Sequence, residues 1–337
     1  MSYQNQNWLD LWHEPVVEPD LEICDPHHHL WDHLTHRYLL DEFKADLDSG
    51  HLIKSTVFVE CASMYRKDGS NAMSPVGETE FVNGIAAMSA SGRYGDARVA
   101  AGIVGFADLS LGAAVGEVLD AHQRVSQRFK GVRHATGWHP SPAIRNSHSN
   151  PSERLTESVE FRRGFAELAP RGLSFDAWMY HAQLPELTTL ADAFPDTQII
   201  LDHFGGPLGI GPYAGKSREV FDQWKRDIAP LADRENVVMK LGGLVMPVNG
   251  FGLHKRRKPP TSDELKALTG DYYRFAIELF GVDRCMFESN FPVDRQSCSY
   301  RILWNTFKKL VADASETEKK ALFHDTATRV YRLNEAD

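Results

Sequence analysis

The feature that most narrows the fold of this chain is an alternation of two periodicities. Eight short β-rich runs are EICDPHH (22–28), STVFVEC (55–61), RVAAGIVG (98–105), FKGVRHA (129–135), LSFDAWMY (173–180), TQIILDH (197–203), NVVMKLGG (236–243) and RCMFESN (284–290). Between them apolar residues recur at spacings of three and four, which gives one apolar stripe per helix. Phe81, Ile85 and Met88 form one such set, and Val115, Val118, Leu119 and Val125 the next. Phe161, Phe165 and Leu168 form a third, and Phe221, Trp224, Ile228 and Leu231 another. Leu187, Leu190, Ala191 and Phe194 follow Pro185, a residue tolerated in the first turn of a helix. Two further helix starts carry capping boxes, Thr261 with Glu264 and Ser315 with Glu318. Only the link over 33–52 reads poorly as a helix.

Strands alternating with helices imply parallel βαβ units, because a parallel pair needs a long crossover. Eight such units predict an α/β fold, a single-domain (β/α)8 TIM barrel with long βα loops at 136–154 and 247–261. A doubly wound sheet would more often carry a glycine-rich phosphate turn after its first strand, where this chain reads PHHHLWD. The 337 residues suit one barrel, with residues 1–20 as an N-terminal extension packing on a barrel of residues 21–337.

Charge and composition exclude several classes. Lys plus Arg number 37 against 46 Asp plus Glu, so the formal charge of −9 repels a polyanion and argues against nucleic acid. No run approaches the ~18 apolar residues of a membrane span, and the N-terminus has no secretory pattern. A cytoplasmic protein without a membrane partner is expected. Cys24, Cys61, Cys285 and Cys298 show no CxxC spacing and read as buried free thiols.

Chemistry in such a barrel gathers at the C-terminal ends of the strands. The first run ends in His27-His28-His29, and alternation puts His27 and His29 on one face with His28 on the other. The fifth run ends in His181 and the sixth in His203, each before a loop. Neutral imidazoles serve both as zinc ligands and as proton carriers near pH 7.

An HxH at the end of the first strand, single histidines after the fifth and sixth, and Ser289-Asn290-Phe291-Pro292 after the eighth resemble the amidohydrolase superfamily. The resemblance is to its amidohydrolase-2 branch, which contains lactonases and non-oxidative decarboxylases. It runs from about Asp25 to the closing segment ALFHDTATRVYRL. It implies that His27, His29 and His181 are metal ligands if a metal is bound, that His203 acts on substrate or water, and that Arg133 binds a substrate carboxylate or carbonyl. Where the branch usually has Asp, this chain has Asn290, an amide that can orient or polarise but cannot take a proton. A zinc ion is compatible with the resemblance, and so is a metal-independent reaction, as in some lactonases of the branch.

Glu288 lies two residues before Asn290, on the same face and about 6–7 Å deeper. It is either the proton acceptor that compensates for the missing Asp or a barrel-layer residue paired with Lys240 or Arg133. Otherwise His203 or His181 serves as base. Glu60, Tyr65, Arg66, Trp138 and His139 are candidate substrate contacts, with a salt-bridge role for Glu60 and solvated positions for the others as alternatives. The run His254-Lys255-Arg256-Arg257-Lys258 reads as an exposed face or as an electropositive lid for an acidic substrate.

The expected activity is hydrolysis of a lactone or related cyclic ester of a small carboxylated or hydroxylated molecule. The alternatives are a metal-dependent decarboxylase of an aromatic or enoic acid and a non-catalytic binding protein on the same fold. The expected partner is a small anionic or polar substrate, and a homo-oligomer is compatible with the sequence.

Overall fold

The computed structural model describes residues 5–33 and 36–333. Among them eight strands form one sheet: β1 (Glu22–His28), β2 (Leu52–Val59), β3 (Arg98–Gly105), β4 (Phe129–Val132), β5 (Ser174–Ala177), β6 (Ile199–Leu201), β7 (Val237–Leu241) and β8 (Cys285–Phe287). Each pairs in parallel with the next in chain order. The ends meet through a parallel bridge between His28 and Phe291. There the Asn290 N–H donates to the His27 carbonyl (2.9 Å) and the His29 N–H to the Phe291 carbonyl (2.8 Å). The result is the (β/α)8 barrel expected.

Strands buried on both faces need no alternation and read as apolar runs, which is why β6 and β7 are buried along their whole length. Buried charged residues interrupt this, among them Asp25 in β1, Asp176 in β5 and Lys240 in β7. Several strands stop before the apolar runs do. β6 ends at Leu201 because His203, Phe204, Gly205 and Gly206 all take positive φ, a conformation that breaks the ladder.

The helices lie between the strands, and both capping boxes form: Thr261 caps Ser262–Phe280 and Ser315 caps Glu316–Lys320. Pro185 sits in the first turn of Leu184–Ala193. The link at 33–52 holds more structure than expected. Trp31–His33 pairs with His36–Tyr38, and Leu40–Leu47 is an eight-residue helix that buries Leu40, Phe43 and Leu47. Two turns give too few apolar positions for a periodic signal.

Inside the barrel, Cys24, Val57, Val104, Ile200, Val238 and Met286 pack with Ala327, Val330 and Tyr331 of the closing segment. Residues 5–20 lie against the 247–261 loop and the helix after it. Trp8 Nε1 donates to the Arg256 carbonyl (2.9 Å), Lys258 Nζ stands 5.2 Å over the Trp12 ring, and Glu14 accepts from the Ser262 N–H (2.9 Å). The four cysteines are free, and no helix among the described residues is long and apolar enough to cross a membrane.

Candidate active site

The site begins where β1 runs out. Pro26 cannot donate to the ladder, and the pairing with β2 slips between Asp25 and His28. Beyond the slip His28 turns outward, stacking on Phe43 (4.3 Å between centroids) and meeting Thr56 Oγ1 at 2.9 Å. His27 and His29 turn inward. His29 Nδ1 lies 2.7 Å from the Val59 carbonyl, which can only accept, so Nδ1 carries the proton and Nε2 keeps its lone pair. That Nε2 is 3.2 Å from His27 Nε2.

His203 approaches from the end of β6. Its left-handed backbone (φ 53°) swings the ring to 4.5 Å from that of His27 and 5.0 Å from Trp178. His203 Nδ1 meets Glu288 Oε1 at 2.5 Å, while Glu288 Oε2 lies 2.9 Å from His27 Nδ1. Two glycines after β7 leave room for this pair. A Cβ on Gly243 would fall 2.3 Å from His203 Nδ1, and one on Gly242 2.4 Å from Glu288 Cγ. Burial alone would raise the Glu288 pKa, but the imidazoles of His203 and His27 outweigh it and hold the carboxyl down to about 2.

Beneath the histidines runs a buried charge array. Lys240 Nζ is 2.6 Å from Asp176 Oδ2, 3.1 Å from Asp202 Oδ1 and 3.2 Å from His27 Nδ1. Burial works against the ammonium, yet Asp176, Asp202 and Glu288 raise its pKa. Of the two carboxyls sharing Lys240, Asp202 is held well below the usual range. Asp176, buried and next to that charge, is pushed up to about 6 and accepts from the Tyr331 hydroxyl (2.6 Å). On the other flank Arg133 Nε donates to Glu60 Oε1 (2.8 Å), and Glu60 Oε2 meets His148 Nε2 at 2.9 Å.

The structure therefore gathers His27, His29, His203, Glu288, Arg133 and Glu60. His27, His203 and Glu288 each offer a ligand atom, all within 4.8 Å of one another, a different trio from the expected His27, His29 and His181. His181 is also buried, its ring 4.9 Å from that of Tyr213, whose hydroxyl lies 3.3 Å from His139 Nε2. His181 Nδ1 accepts the Leu208 N–H (3.4 Å) and its Nε2 has no hydrogen-bond partner. This second group touches a cavity of about 660 Å³ through Leu208 and Tyr213, and none of the histidine cluster lines that cavity.

Asn290 sits at φ 55°, a conformation Asn tolerates, and its amide donates to Asp294 Oδ1 (3.1 Å). The Trp138 backbone N–H donates to Gln183 Oε1 (3.0 Å), in the turn that carries His181. Tyr65 is partly buried, and burial raises its phenol pKa. Arg66 is engaged by Glu80 (Nε to Oε2, 2.9 Å). In the basic run, Arg256 pairs with Glu264 (3.2 Å).

Asp176, Asp202, Trp178 and His148 were not foreseen as site residues. A lone charge in an otherwise apolar strand signals a buried pair, so Asp176 and Lys240 were findable together. His148 carries no such signal, because its loop alone brings it to Glu60.

The donor set suits a cation on the chain's own geometry. Glu288 is a buried carboxylate with Oε2 2.9 Å from His27 Nδ1, and the His27 and His29 Nε2 atoms, 3.2 Å apart, match the separation of about 3.3 Å between ligands of one tetrahedral zinc. His29 already shows the backing bond to a carbonyl that ligating histidines usually make.

Comparison with known proteins gives the same frame. An uncharacterized protein, y4mH, of Sinorhizobium fredii is 34% identical over 336 residues, covering 93% of this chain and 99% of its own length. An L-fucono-1,5-lactonase of Burkholderia multivorans is 26% identical over 182 residues, 54% of this chain and 58% of that protein. A crystal structure of an amidohydrolase from Burkholderia multivorans with bound zinc superposes with a TM-score of 0.71 at 23% identity, covering 93% of this chain and 99% of the other. The family model described as amidohydrolase matches residues 24–333, and the chain belongs to that family.

Proposed function

We propose that this protein is a hydrolase that opens a lactone, or a related cyclic ester, of a small carboxylated or hydroxylated molecule. The observation that carries this is the His203–Glu288 couple, a buried carboxylate 2.5 Å from a ring nitrogen beyond the C-terminal ends of β6 and β8. Family membership supports a hydrolase, and the lactonase relative supports this substrate class.

Glu288 Oε1 accepts the Nδ1 proton of His203, which leaves Nε2 as the basic nitrogen. In the metal-free protein that Nε2 takes the proton of a water as its oxygen attacks the lactone carbonyl carbon. The ring C–O bond then breaks, and the leaving oxygen recovers the proton from His203, so the imidazole ends as it began. This supplies the base that Asn290 cannot. Arg133 and Lys240 place fixed positive charge beside His27, where the site meets developing negative charge. His27, His203 and Glu288 would hold a divalent cation, zinc in our assignment, which when bound polarises a carbonyl and lowers the pKa of a water.

The test is acid release at constant pH with a panel of sugar, muconic and aromatic-derived lactones. At least one is expected to turn over. No turnover anywhere in the panel, or carbon dioxide release from aromatic acids in its place, would overturn the assignment.

A further inference from the structure

Arg133 is the guanidinium from which a carboxylate-binding role is expected, yet the fold turns it inward. Nε donates to Glu60 Oε1 (2.8 Å) and Nη2 to the Glu60 carbonyl (2.5 Å). Nη1 stands 3.3 Å from His27 Nε2 and 3.5 Å from Asp202 Oδ2. Each nitrogen is engaged by the wall, and the residue is 5% exposed. Its charge is answered by Glu60 on one side and Asp202 on the other.

The chain of contacts does not stop there. Glu60 is fully buried, and its remaining oxygen meets His148 Nε2 at 2.9 Å, while 35% of the His148 side chain is open to solvent. His148 is thus the outward end of a line running His27, Arg133, Glu60, His148. A carboxylate can only accept, so Nε2 is the donor toward Glu60 and Nδ1 is the ring nitrogen left to face a ligand. The backbone on both sides of His148 is pinned. Ser147 N–H donates to the Gly137 carbonyl (2.8 Å), Asn150 N–H to the Ser147 carbonyl (2.9 Å), and the Ser149 hydroxyl to the Ala135 carbonyl. A ring held this firmly loses little freedom on binding.

The groups that face His148 favour its charged form on balance. Glu60 after β2 raises its pKa most. Burial and Arg133 after β4 oppose this, and Glu78 on the helix Val76–Ala90 adds to the rise. His134, also after β4, lies near enough to feel His148, and burial pushes its own pKa down to about 4.

We propose that His148 is the specificity-determining cation of the site, its Nδ1–H taking a carboxylate of a small acidic substrate while Glu60 and Arg133 hold it from behind. The proposal rests on the His203–Glu288 couple being the hydrolytic centre, and it narrows the substrate class to lactones that carry a carboxylate. An outward imidazolium backed by a buried Glu60–Arg133 pair presents positive charge to the ligand without exposing the guanidinium.

The test uses the full chain and its variants His148→Ala, His148→Gln and His148→Lys. One carboxylated γ-lactone is supplied as the free acid and as its carboxamide, a pair of nearly the same shape in which only the acid carries the negative charge. In parallel, calorimetry measures binding of the ring-opened dicarboxylate. His148→Ala and His148→Gln are expected to raise KM for the acid about tenfold or more, as loss of a charge-assisted hydrogen bond does. They should leave kcat and the carboxamide's KM within about twofold, and His148→Lys should restore most of the loss. The dicarboxylate Kd should move with KM for the acid. Equal losses on acid and carboxamide, no loss on either, or a dicarboxylate that binds wild type and His148→Ala alike would overturn the proposal, as would a wild type that binds no dicarboxylate. If neither lactone is opened, the lactone panel decides the hydrolase assignment, while the calorimetric comparison still decides the role of His148.

Discussion

Gly243 shows how tightly single residues are constrained around the His203–Glu288 couple. Its φ of +66° favours glycine, and a Cβ there would lie 2.3 Å from His203 Nδ1. Gly243→Ala is therefore expected to cost about 1–3 kcal/mol of stability and to displace the His203 ring. Chemical denaturation checks the first effect and lactone turnover the second, and an alanine variant with wild-type values in both would contradict this packing. At this scale the strand-end histidines were legible in part. The parity of β1 separates His27 and His29 from His28 by simple alternation, whereas no local pattern distinguishes His203, which joins the cluster, from His181, which packs on Tyr213. The left-handed turn at His203 and Phe204 makes that difference, and backbone conformations of this kind are not written in residue type when the residue is not glycine. Asn290 was read for its chemistry, but its backbone φ and its bond to Asp294 are equally part of its role.

Among the elements, β5 and β7 face each other's charge across the interior. Lys240 is fully buried against Asp176 and Asp202, so removing the ammonium strands carboxylates in the barrel. Lys240→Met should destabilise the protein by about 3–5 kcal/mol, and adding Asp176→Asn should recover part of that loss. Urea midpoints at neutral pH check this, and equal stability of the single and double variants would refute the pairing. The helix Val115–Val125 offers a test by pH. His122 is buried on it, with Nε2 toward the Phe106 carbonyl (3.1 Å) and Nδ1 toward the Thr79 hydroxyl (2.8 Å), and burial lowers its pKa to about 4. Between about pH 6.5 and 4 the unfolded chain takes up a proton that the folded one refuses, so its contribution to stability falls as pH falls, by at most about 1.4 kcal/mol per pH unit. The stability advantage of wild type over His122→Asn should accordingly shrink from pH 7 to pH 4.5. A constant difference would mean that His122 titrates alike in both states. Element order was readable because buried parallel strands and amphipathic helices have distinct periods. The helix Leu40–Leu47 escaped because its buried face rests on three residues.

At the scale of the whole molecule, the barrel brings residues 27, 60, 133, 203 and 288 to one end although the chain separates them by up to 261 positions. That convergence follows from parallel strands ending at one face, and it is why polarity at the strand ends is informative in the sequence itself. What composition could not reveal is the sharing of charge within the cluster: Glu288 between two imidazoles, Lys240 between two aspartates, Glu60 between Arg133 and His148. These are properties of assembled geometry. The central claim is that His203 and Glu288 work as one unit, and a double-mutant cycle on the best lactone tests it most directly. His203→Asn and Glu288→Gln should each lower kcat by about 10²–10⁴, with the double variant no slower than the worse single one. Losses that simply multiply, or a single variant with full activity, would contradict it.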